Sequence, residues 1–112
     1  MKNTNEARTW QMACQEKALS IAEMLITKQH DYGKANITDF GELGILVRSN
    51  DKIARLKNLS KNKANPKNES KRDSWADLAG YSILALMLID EEFDLPFTEF
   101  TTVDKVEELE EV

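Results

Sequence analysis

A chain of 112 residues with 41% hydrophobic content and a formal charge of −5 is long enough for one domain with a modest core. Its single cysteine, Cys14, excludes an internal disulfide and suits a reducing, cytoplasmic setting. The opening MKNTNEART lacks the apolar run of a signal peptide, and the longest apolar stretch, residues 83–89, is too short to span a bilayer, so no membrane association is expected.

The charge divides unevenly. Residues 90–112 hold ten acids against one base, net −9, which leaves residues 1–89 at +4. The expected organisation is a helical domain over residues 1–96 followed by an acidic tail over 97–112, whose plainest role is solvation.

In chain order, residues 7–30 place Trp10, Cys14, Ala18, Ile21, Ala22 and Leu25 at helical spacing, and Gly33 is a natural C-terminal stop for that helix. Cys14 falls on this apolar stripe and reads as a packing residue. Residues 35–44 contain two glycines and read as a loop. A second helix is expected from about residue 40 or 42 to 59, with Ile45, Leu46, Ile53 and Leu56 facing inward. The polar, basic run SKNKANPKN, residues 60–68, reads as a long loop. A third helix follows to between residues 90 and 94, and Leu95-Pro96 ends the pattern. Residues 103–112 are compatible with a short acidic helix. No strand alternation and no internal repeat occur, so the fold class is all-α with three main helices.

The third helix carries the most informative pattern. Glu69, Asp73, Asp77 and Tyr81 step by four, which stacks them on one helical face. Acids in a first turn suit the helix dipole, and Ser70 with Asp73 resembles a capping box, so Glu69 and Asp73 have a structural explanation as well as a chemical one. Asp77 does not. It lies two turns in, among Trp75, Ala76, Leu78 and Ala79, where a carboxylate needs a cation or a basic partner. The helix then runs apolar on every side through residues 83–89, more than two amphipathic partners can cover. A homo-oligomer, a dimer or larger, is therefore expected.

On the second helix Arg48, Asp51, Lys52 and Arg55 are three or four apart. They form either an exposed salt-bridge lattice or a cradle for phosphate oxygens. His30-Asp31-Tyr32-Gly33 closes the first helix, and Tyr32 offers a face on which a base could stack. There is no glycine-rich phosphate loop, no Cys/His cluster and no nucleophile triad pattern. Nucleic acid is not an expected partner, because the basic loop lacks interleaved aromatics and adjoins the acid ladder.

Taken together, HDYG, then VRSNDKIARLKNL, then NESKRDSWADLAGYSILAL resemble the nucleotide modification associated domain family of phages and prophages. Its pattern falls here on Asp31, Tyr32 and Gly33; on Arg48, Asp51, Lys52, Arg55 and Leu56; and on Glu69, Asp73, Asp77, Leu78 and Tyr81. That family is distantly similar to the MazG-like all-α nucleoside triphosphate pyrophosphohydrolases, whose E-E-x-x-E motif does not occur in the segments that carry the resemblance. The resemblance implies a helical bundle completed by oligomerisation and a magnesium-dependent pyrophosphohydrolase acting on nucleotides in the host cell cytoplasm. Glu69, Asp73, Asp77 and Asp51 would hold Mg2+, and Asp73, Asp77 and Lys52 would act in catalysis. Asp31, Tyr32, Arg48, Lys52, Arg55 and Tyr81 would bind the nucleotide. The alternative is a module that captures a nucleotide, including a host defence signal, without cleaving it.

Overall fold

The computed structural model describes residues 7–62 and 70–98, and these form four helices with no strand among them. The expected short acidic helix over residues 103–112 and most of the loop over 60–68 lie outside the described residues. α1 spans Trp10–Tyr32. It begins three residues later than the periodicity suggests because Thr9 caps it: its extended backbone lets Oγ1 accept from the Met12 N–H at 3.1 Å. It ends where Gly33, at φ 73, donates its N–H to the Gln29 carbonyl at 2.9 Å.

The expected loop over residues 35–44 is a correction. A one-turn helix, α2, occupies Ala35–Thr38, and α3 already begins at Gly41. Gly33 and Gly41 flank α2 with left-handed backbone, which lets the chain reverse direction on either side of one turn. The turn is held by burial of Ile37, its one buried side chain. α3 runs Gly41–Asn62, past the expected end at Leu59. α4 spans Lys71–Ile89, capped as expected by Ser70, whose Oγ accepts from the Asp73 N–H at 3.0 Å.

α4 closes with a Schellman motif. The Glu92 N–H bonds to the Met87 carbonyl at 2.8 Å and the Glu91 N–H to the Leu88 carbonyl at 3.2 Å, with Glu91 held at φ 58. This reversal folds residues 91–97 back as a strap and delivers Phe93 into the core.

The principal contact is between α3 and α4, with α1 laid across α4. The core is small. Ile37, Ile45 and Phe93 are buried together, with Tyr81, Leu84, Ala85, Met87 and Leu88 packed around them. Leu56, Leu59 and Ser74 are also buried. α1 approaches α4 at Gly80, where an added Cβ would lie 3.0 Å from Leu25 Cδ2 and 3.2 Å from Met24 Cε. A methyl group there would require the tips of Leu25 and Met24 to give way by a few tenths of an ångström, so glycine suits the close crossing.

The inward faces need correcting too. Ile45 and Leu56 are buried as expected, but Leu46 and Ile53 are exposed, as are Trp10, Cys14 and Ala18 of α1. α1 meets α4 through Met24, Leu25 and Lys28, so its apolar N-terminal half extends beyond that crossing. On α4, Trp75, Ala79, Ser82, Leu86 and Ile89 are exposed at alternating steps of four and three, on the side of the helix away from Asp77, Gly80 and Leu84.

Candidate functional site

Between residues 75 and 89, α4 carries one charged side chain, Asp77. Its carboxylate is only 13% exposed and receives two ammonium groups. Lys28 of α1 donates to Oδ1 at 3.3 Å, and Lys52 of α3 donates to Oδ2 at 2.9 Å. One carboxylate thus fastens all three long helices. The two lysines differ: Lys52 is 20% exposed and Lys28 is 51% exposed. Lys52 is therefore the fixed partner, and Lys28 is the one that can swing towards a ligand.

Beside this clasp lies an open cleft of about 400 Å³, within the size range of small-molecule sites. α1 contributes Lys28, Gln29 and Tyr32; α2 contributes Asn36; α3 contributes Arg48; and α4 contributes Asp77, Tyr81 and Leu84. Arg48 is oriented by α2, because its Nη2 donates to the backbone carbonyl and the side-chain Oδ1 of Asn36, each at 3.2 Å. The unforeseen helical turn therefore has a consequence for the site: it supplies the acceptors that hold the guanidinium over the cleft. Lys28 and Arg48 against Asp77 leave the lining net positive, which favours an anionic ligand.

The residues expected from sequence separate into two groups. Asp77, Arg48, Tyr32 and Tyr81 line the cleft, and Lys52 joins it through Asp77. Arg55 is half-buried on α3 and does not line the cleft. Asp31 is exposed, with its Oδ1 3.2 Å from His30 Nδ1. Asp51 and Asp73 are exposed, and Glu69 lies outside the described residues. Among the described residues no three carboxylate, histidine or cysteine side chains gather where they could hold a metal ion. The one enclosed carboxylate already has two cationic partners, so the described donors do not fit a magnesium centre. Lys28, Gln29 and Asn36 were not foreseen. Lys28 was within reach of sequence reasoning, since it lies one helical turn before Tyr32 on the same face.

The fold and cleft define a small all-helical protein with a cation-rich site anchored on a single carboxylate. The chain belongs to the family described as nucleotide modification associated domain 1, whose model matches residues 28–89. The matched span begins at Lys28 and holds every polar or charged residue that lines the cleft. Neither a characterised protein nor a solved structure matches the chain. Among the described residues, no helix is long and apolar enough to cross a membrane.

Proposed function

We propose that this protein binds a nucleotide in the cleft and acts in nucleotide modification or metabolism, in a phage-related setting. Arg48 and Lys28 hold the phosphates, Lys52 and Asp77 position Lys28, and Tyr32 borders the sugar or base. The observation that carries the reading is the clasp at Asp77. It holds the Lys28 ammonium at one edge of the cleft before any ligand arrives, with Lys52 anchoring the other oxygen of the same carboxylate, so less ordering is left to binding. Charge-assisted contacts of this kind, with an arginine held in a fixed orientation, suit phosphate oxygens.

The hydrolytic reading, a magnesium-dependent pyrophosphohydrolase similar to the MazG-like enzymes, rests on the resemblance drawn from the sequence and on the presence of one acid in the cleft. Its metal ligands would have to include Glu69 or a residue from another subunit. Incubating the full chain with a panel of nucleoside triphosphates, with and without magnesium, separates the readings. A raised melting temperature with intact ligand recovered indicates capture, whereas appearance of monophosphate and pyrophosphate indicates hydrolysis. No shift and no product for any nucleotide sinks both.

The working form in this proposal is a homodimer. Trp75, Ala79, Ser82, Leu86 and Ile89 of α4 lie at coiled-coil spacing, and α3 exposes Leu46, Val47 and Ile53. Ser82 fits such a seam because its hydroxyl is already bonded to the Leu78 carbonyl at 3.1 Å. A second α3–α4 pair laid on this surface closes a four-helix bundle, with α1 and the cleft on the outside.

A further inference from the structure

A second cavity of about 260 Å³ opens beside the cleft, between the C-terminal half of α1, the end of α4 and the strap. Leu25, Gln29 and Leu84 line both cavities, so the two lie side by side with different chemistries. At one end are Arg48 and the Lys28–Asp77 pair. The other end is built from Ile26, Met87, Phe93, Leu95, Pro96 and Phe97.

Resting on the nucleotide reading, we infer that this apolar end is the base compartment, and that it selects nucleotides whose base carries an added apolar group such as a methyl. Three features support this. Phe97 and Pro96 are the side chains on which a planar ring can stack, and the buried Phe93 forms the floor behind them. Gln29 stands on the shared wall, and its carboxamide both donates and accepts, which matches the polar edge of a base turned back towards the cleft. Lys34 and Glu92 also line the cavity, but most of its lining is hydrocarbon. An alkyl substituent therefore enters at little desolvation cost, whereas an added charged or hydroxyl group does not.

The order of the two chemistries suits the ligand as well. A nucleotide spanning both cavities has its anionic end among cations and its ring among apolar side chains. An inorganic polyphosphate uses the polar half alone.

The test is calorimetric titration of the full chain with tripolyphosphate, dCTP and 5-methyl-dCTP, with a chelator present so that affinity is read without turnover. The expected order is 5-methyl-dCTP above dCTP above tripolyphosphate. Burying one methyl gives about fourfold between the two nucleotides. Leu95→Ser and Phe97→Ser alter side chains that are largely exposed, so each variant should fold. Each should lower nucleotide affinity towards that of tripolyphosphate and leave tripolyphosphate binding unchanged, whereas Arg48→Ala should weaken all three ligands. Nucleotides that bind better than tripolyphosphate but ignore both strap substitutions put the base elsewhere and overturn this inference alone. Equal binding of dCTP and 5-methyl-dCTP overturns the selectivity. Failure of all three ligands to bind overturns the nucleotide reading as well.

Discussion

The Asp77–Lys52 contact carries both the fold and the proposed site, and its strength can be worked out from its surroundings. Fully exposed ion pairs contribute about 0.2–1 kcal/mol, and breaking a fully buried one costs about 3–5 kcal/mol. With side chains 13% and 20% exposed and a separation of 2.9 Å, this pair lies between those limits, and a coupling energy of about 2 kcal/mol is expected. The Lys28 contact is longer and Lys28 is half in solvent, so screening should hold its coupling below about 1 kcal/mol. The perturbation is a double-mutant cycle on Asp77→Asn and Lys52→Met, with a parallel cycle on Lys28→Met. Asparagine keeps the shape and an acceptor oxygen while removing the charge that balances Lys52. The assay is urea unfolding at one fixed protein concentration, read as a change in midpoint at constant slope. If Asp77→Asn and Lys52→Met add to within about 0.5 kcal/mol, the two groups are not coupled and the clasp does not exist as described. If Lys28 couples as strongly as Lys52, the assignment of a fixed and a mobile lysine is wrong.

Glu91 occupies a left-handed position that glycine adopts without strain, so Glu91→Gly should stabilise the protein by about 1 kcal/mol, visible as a higher urea midpoint. Gly80→Ala should be close to neutral, because a helix-propensity gain of about 1 kcal/mol is offset by displacement of the tips of Leu25 and Met24. Gly80→Leu should instead cost about 2–3 kcal/mol and weaken nucleotide binding, because it forces α1 off α4; unchanged binding in that variant would show that the crossing does not shape the cleft. Leu86→Glu puts a charge on the exposed seam of α4, remote from the cleft, and should give a folded monomer by light scattering where the parent is a dimer. A parent chain that is itself monomeric at micromolar concentration removes the bundle proposal.

Much of the helical outline was legible because its signals are local. Ser70 and Gly33 act through their own backbone neighbours, and Asp77 stood out as the one charge in an apolar run. What sequence could not supply was orientation. α3 has apolar residues on two sides, and periodicity does not reveal that Ile45 and Leu56 face inward while Leu46 and Ile53 face out. α2 was missed because a single turn with one buried side chain has no period to detect. The acid ladder failed in a similar way: spacing puts Asp73 and Asp77 on one face, but enclosure begins between them. Asp73 remains exposed in the first turn, and one turn deeper Asp77 meets lysines from two other helices.

The all-round apolarity of α4 follows from the number of neighbours it has to meet. Ser74, Ala85 and their neighbours belong to the packed interior shared with α3 and the core around Ile45. Asp77, Gly80 and Leu84 face α1 and the cleft. Trp75, Ala79, Ser82, Leu86 and Ile89 face neither. Over residues 75–89 only the second of these sides carries a charge, and that side borders the cleft with cations opposite. A helix whose sole purpose was to be buried would have no use for Asp77, since an apolar residue of similar volume in its place would avoid the desolvation cost. Retaining a carboxylate there, anchored by Lys52, makes sense where the Lys28 ammonium is needed at the edge of the cleft. This is the physical reason for the proposal that puts nucleotide binding at this face of α4 and self-association at the opposite one.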